Sequence, residues 1–163
     1  MAFVTGHARA KRIKLRDSVF PHSNGTVYEP SKGWRQVPRT LSLVMTLISH
    51  LAPKGKQDGA ARVYLELWLR DMGEGFVELT DPETHAYAAG YTTPGRAGRS
   101  WRECMDVLVG LGFIKIAPKG SSQYGYALIV DPNKVVKELR AKKKIDDSWH
   151  NEYQQRMIQI GAA

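Results

Sequence analysis

The chain has 163 residues, 42% of them hydrophobic, and a formal charge of +8. That length fits one domain with an arm or tail, and the apolar content is enough for one modest core. No apolar run reaches about 18 residues and no apolar segment follows the basic N-terminus, so neither a membrane-crossing helix nor a secretory signal is expected.

The one cysteine, Cys104, excludes an internal disulfide and fits a reducing compartment. The charge is unevenly placed. Residues 1–56 hold ten Lys and Arg against two Asp and Glu, whereas residues 57–163 hold fourteen of each. A basic arm beside a neutral body points to a polyanionic partner, with nucleic acid first in line. The plain alternative is a solvated terminus that only aids solubility.

Residues 1–36 show no periodicity and read as a basic, largely extended arm. Arg9 to Arg16 carries five basic residues in eight. Tyr28 and Trp34 are candidates to pin the arm to the body. A helix is predicted over 40–52, with Thr40 as cap and Leu41, Val44, Met45, Ile48 and Leu51 at helical spacing. A second helix is predicted over 60–72. Val63, Tyr64, Leu67, Trp68 and Met72 are assigned inward, and Arg62, Glu66, Arg70 and Asp71 outward.

Phe76 to Thr80 is a short alternating strand. Asp81 followed by Pro82 starts a helix that Gly90 stops. After the turn at 92–95 a further helix covers 95–111. Its stripe of Trp101, Cys104, Met105, Leu108 and Leu111 faces the core. Strands at 113–117 and 124–130 follow, joined by a loop over 118–123. The segment 133–163 is predicted as a helical extension with Trp149, Tyr153, Met157 and Ile160 on one side. It either packs back on the body or pairs two copies into a homodimer.

Strand, helix, turn, helix and hairpin, with Ala86-x-x-x-Gly90 in the first helix and Val109-Gly110-Leu111-Gly112-Phe113-Ile114 leading into the hairpin, resemble the winged helix-turn-helix domain of bacterial DNA-binding proteins. The resemblance covers residues 76–132, about a third of the chain. It departs at 92–97, a turn about a residue longer than usual that carries Pro94. The longer chain is similar to small proteins of bacterial plasmids and phages. The resemblance implies an α+β fold, mainly α: a winged helix-turn-helix over 37–132 with extra N-terminal helices, a basic arm over 1–36 and a helical extension over 133–163. It further implies double-stranded DNA as partner and a cytoplasmic, nucleoid-associated location.

With Trp101 taken as the core direction, about 100° per residue puts Arg96 and Arg99 on the opposite side and Arg102 on the flank. A recognition helix enters the major groove N-terminal end first, and Arg holds guanine or phosphate with a planar fork. Thr93 and Ser100 are candidate phosphate donors. Glu103 and Asp106 lie further down this face and are expected to confine contact to its first two turns. In the wing, Lys119, Ser121 and Ser122 are candidates; in the arm, Lys11, Arg12, Lys14 and Arg16. The alternative is an ordinary charged face with Arg–Glu pairs and an ordinary hairpin turn. His85 reads as a surface or packing residue.

Catalytic patterns are missing from the sequence. The five histidines are scattered, and there is neither a Cys-x-x-Cys nor a phosphate loop ending in Gly-Lys. No enzyme activity, cofactor, metal or small-molecule ligand is expected. The expected function is DNA binding, in transcription regulation or in plasmid or phage replication or partition. The alternative is a winged-helix protein-interaction module, or an accessory subunit of a plasmid, phage or defence nucleoprotein complex.

Overall fold

A computed structural model describes residues 6–21, 36–71 and 74–163. Tyr28, Trp34 and Met72 lie outside the described residues, as does the side chain of Arg12. The chain divides into two compact units, Met1–Gln36 and Val37–Ala163.

In the first unit, Gly6–Val19 forms helix α1. This corrects the expectation of an extended arm over these residues. Ala, Leu, Lys and Arg are strong helix formers, and neither Gly nor Pro interrupts residues 7–20. The helix was illegible by period because it has no apolar stripe: Ile13, Leu15 and Val19 all remain exposed.

The second unit is α+β and mainly helical. It runs α2 (Leu41–Leu51), α3 (Gln57–Arg70), β1 (Phe76–Glu78), α4 (Pro82–Ala88), α5 (Ala97–Leu111), β2 (Ile114–Lys119), β3 (Ser122–Ile129), α6 (Pro132–Ala141) and α7 (Asp147–Gln159). Apolar faces of α2, α3 and α5 converge on a core in which Val44, Ile48, Val63, Tyr64, Leu67, Trp101, Met105 and Leu108 are wholly buried. Burying each such aliphatic side chain contributes about 1.5–3 kcal/mol. Tyr64 meets Phe113 edge-on with ring centres 5.4 Å apart, joining α3 to the start of β2.

The three strands form an antiparallel sheet in the order β1-β3-β2. Val77 pairs with Ala127, and Ala127 with Ile116, so Val77, Ala127 and their alternating neighbours Ile114 and Ile129 face the core. Asp81, Asp131 and Asp146 each cap the helix that follows by accepting a backbone N–H. Thr40 holds the corresponding position before α2 but makes no side-chain cap bond.

Two side chains of the outward set of α3 are in fact buried. Asp71 is 2% exposed, and its Oδ1 accepts from Gly75 N at 3.0 Å and Phe76 N at 3.3 Å, fixing the turn into β1. Glu66 is 6% exposed and faces the buried His85. Two residues of the C-terminal stripe are spent inside this unit. Trp149 and Tyr153 are buried and stacked at 5.0 Å, and the Trp149 indole N–H donates to Leu43 O at 2.9 Å. The Tyr153 hydroxyl bonds Asn133 Oδ1 on α6. No helix among the described residues is long and apolar enough to cross a membrane.

Candidate nucleic-acid interface

Two local devices set the direction of α5. First, α4 ends in a tight left-handed turn. Gly90 has φ +97°, Tyr91 N donates to Ala86 O at 2.9 Å, and Gly90 N donates to Tyr87 O at 3.0 Å. A β-carbon disfavours that backbone region, so glycine stands there. Second, α5 is capped from a distance. Arg96, at its cap position, makes no side-chain cap bond. Instead Glu83 Oε1, from the first turn of α4, accepts Gly98 N at 3.2 Å. The helix begins at Ala97 rather than 95, because the Thr93 carbonyl accepts both Arg96 N and Ala97 N and keeps Pro94-Gly95 in the turn.

One face of α5 is core: Trp101, Cys104, Met105 and Leu108 are wholly buried. The other presents Arg96, Arg99 and Arg102 to solvent, with Thr93 exposed in the turn and Ser100 half-buried. The arginines differ in their surroundings. Arg99 Nε donates to Glu103 Oε1 at 3.1 Å, and Glu103 also pairs with Lys56. Those two cations, Lys56 first, hold the Glu103 carboxyl below its usual range. Arg96 and Arg102 have no ion-pair partner among the described residues. Asp106 is also engaged, since the Tyr124 hydroxyl donates to its Oδ1 at 2.7 Å. Burial, then Asp106, pushes that hydroxyl up to about 12. Both acids expected to repel a phosphate backbone are thus tied into the fold.

The hairpin corrects the expected six-residue loop. Strand pairing continues to Lys119 opposite Ser122, leaving Gly120-Ser121 as a two-residue turn. A bulge between Ala117 and Lys119 closes against Gly125, where a β-carbon would lie 2.3 Å from that of Lys119. Lys119 is committed rather than open: it pairs with Glu78, and its ammonium lies 5.7 Å from the centre of the Tyr126 ring. Ser122 Oγ accepts Tyr124 N at 3.3 Å, and Ser121 is exposed at the tip. On α1, Lys11 and Lys14 are exposed, while Arg16 pairs with Asp17 at 2.6 Å.

Behind the arginine face lies an arrangement of which helical spacing discloses only the i,i+4 pair of Glu66 and Arg70. His85 is 2% exposed, with Nδ1 at 3.1 and 3.3 Å from the two carboxylate oxygens of Glu66. Arg70 Nε donates to Glu66 Oε1 at 2.5 Å. The imidazole stacks on Trp101 at 5.6 Å, and Trp101 leans on Tyr124 at 5.8 Å. Buried carboxylates need such partners, which is why Glu66 points inward. The line from Arg70 to Tyr124 couples α3, α4, α5 and the hairpin. Comparison with protein-family models, with curated proteins and with solved structures finds no significant match to this chain.

Proposed function

We propose that this chain binds double-stranded DNA as a winged helix-turn-helix protein, with α5 entering the major groove. The observation that carries the reading is the pair Arg96 and Arg102. They stand exposed near the N-terminal end of a helix whose other face is core, without carboxylate partners among the described residues. A free guanidinium can take the acceptors of a guanine edge or a phosphate; a paired one must first break its bond. The order β1-β3-β2 behind the two helices supports the same reading. In it, Arg99, Thr93 and Ser100 border the contact, Ser121 at the hairpin tip approaches the backbone, and Lys11 and Lys14 of α1 add attraction to phosphates. Transcription control, or plasmid or phage replication or partition, would follow from where the protein binds.

The test is a titration against a random-sequence duplex pool at several salt concentrations, with Arg96→Ala/Arg102→Ala beside the parent. The expected result is selected sequences and, in the variant, affinity lower by at least about tenfold with a salt slope reduced by about 2. Binding without selection that the variant leaves unchanged would reduce the DNA contact to α1.

A second reading, a winged-helix protein-interaction module, is favoured by a groove between α3 and α4 lined by Arg62, Leu65, Leu69 and Ala89. Leu69 is 60% exposed there and Tyr87, on α4, 69%. A protein partner retained after nuclease treatment and lost with Leu69→Glu would move this reading to first place.

A further inference from the structure

The sheet has a second face, turned from the core, and it carries aromatic rings. Register sets Phe76, Leu128 and Lys115 in one row across the three strands, and Glu78, Tyr126 and Ala117 in the next. Phe76 is 46% exposed and Leu128 44%, although their inward neighbours Val77 and Ala127 are buried. The Phe76 and Tyr126 rings lie nearly parallel, 23° apart in plane with centres separated by 5.4 Å. Lys115, on the far strand of the same row, is exposed and has no ion pair among the described residues. Lys119 reaches over Tyr126 from the hairpin tip, held there by Glu78.

Near-parallel rings on the outer sheet face, Phe76 exposed and Tyr126 half-buried, with lysines at one margin, match the chemistry of an unpaired nucleotide. Each base offers a π-face that stacks without regard to sequence, and each phosphate seeks a cation. A duplex cannot use such a surface, because its bases are stacked on one another. We propose that this outer face binds single-stranded nucleic acid, a base stacking on Phe76 and Tyr126 while flanking phosphates engage Lys115 and Lys119. Glu78 opposes the strand in two ways: it repels phosphate and it occupies Lys119. The acid therefore sets the strength of the site, and removing its charge strengthens binding. This goes beyond duplex recognition by α5, uses none of its residues, and stands or falls separately.

The test uses the full chain and a fluorescein-labelled oligothymidylate of about a dozen nucleotides. Anisotropy gives affinity, and ultraviolet cross-linking with peptide mapping gives the place. The variants are Phe76→Leu, which keeps apolar bulk, Glu78→Gln, and Arg96→Ala/Arg102→Ala, each checked for an unchanged thermal midpoint. Expected are cross-links in tryptic peptides 71–96 and 120–134, affinity about tenfold lower in Phe76→Leu, higher affinity in Glu78→Gln, and no change in the double arginine variant. Cross-links confined to the α1 peptides, with Phe76→Leu and Glu78→Gln both neutral, would overturn the proposal. So would concentration-dependent self-association that Phe76→Leu abolishes, because the face would then be an interface between copies.

Discussion

A β-carbon on Gly59 would sit 1.9 Å from the Tyr91 hydroxyl oxygen, which itself lies 3.1 Å from Cys104 Sγ. Gly→Ala in a helix ordinarily stabilises by about 1 kcal/mol. Here the overlap decides the sign, and Gly59→Ala is expected to destabilise by about 1–3 kcal/mol. Tyr91→Phe removes the closest atom and leaves Tyr91 Cζ and Cys104 Sγ at 3.1 Å, so the double variant should recover part of the loss in urea unfolding. Additive losses would show that Tyr91 is not the obstacle. Lys143 presents the opposite case. It is the one described non-glycine residue with positive φ, +56°, where it closes α6 through Lys144 N to Leu139 O at 3.0 Å. Lys143→Gly should raise stability by about 1 kcal/mol, read from the shift in denaturant midpoint. Glu66→Ala should lower it by about 2–3 kcal/mol, because His85 would stay buried with Nδ1 unpartnered. At this scale the apolar stripe of α5 was legible, since helical period alone assigns Trp101, Cys104, Met105 and Leu108 inward. Glu66 and His85 were not. Their bond spans 19 residues, and no local pattern encodes it.

Among elements, α4 was legible because Asp81, Pro82 and Gly90 each act on their own immediate backbone. The start of α5 is not legible locally, because Arg96 at its cap position makes no cap bond and Gly98 N is held by Glu83, in another helix. Glu83→Ala should cost about 1 kcal/mol and raise amide exchange selectively in the first turn of α5. Pro118, a common loop residue, suggests a longer hairpin tip than the structure has. It stands instead in an edge strand at a bulge, where the missing N–H does no harm. Two carboxyls at these helix junctions hold their charge into acid. The Thr84 hydroxyl, then Glu83 N, hold Asp81 below its ordinary 3.8, and Lys56, then Arg99, hold Glu103 below its ordinary 4.5. Depressed carboxyls contribute stability that is complete above those ordinary values and is lost as pH falls through the lower, folded-state ones. A carboxyl-detected NMR titration should show both groups still ionised at pH values where exposed acids are half protonated. Ordinary midpoints for both would remove the effect.

Charge divides the whole molecule along the same boundary as its packing. Residues 1–36 hold seven Lys and Arg against two Asp and Glu; residues 37–163 hold seventeen against fourteen. Removing residues 1–36 should therefore flatten the salt dependence of DNA affinity. An equal slope in the shortened chain would show that the first unit does not meet phosphate. The Trp149–Leu43 hydrogen bond, which joins residues 106 positions apart, bears on how this fold is reached during synthesis. Strand β1 likewise has no partner until β3, some fifty residues later, has been made. A growing chain carries β1 unpaired until β3 has been made, and α2 without its α7 contact until Trp149 follows. Such long closures slow folding relative to a purely local helical chain. They also leave α2 without its Trp149 contact until α7 has been made, so a chain stopped short of Trp149 should be cut by protease where residues 1–163 are not.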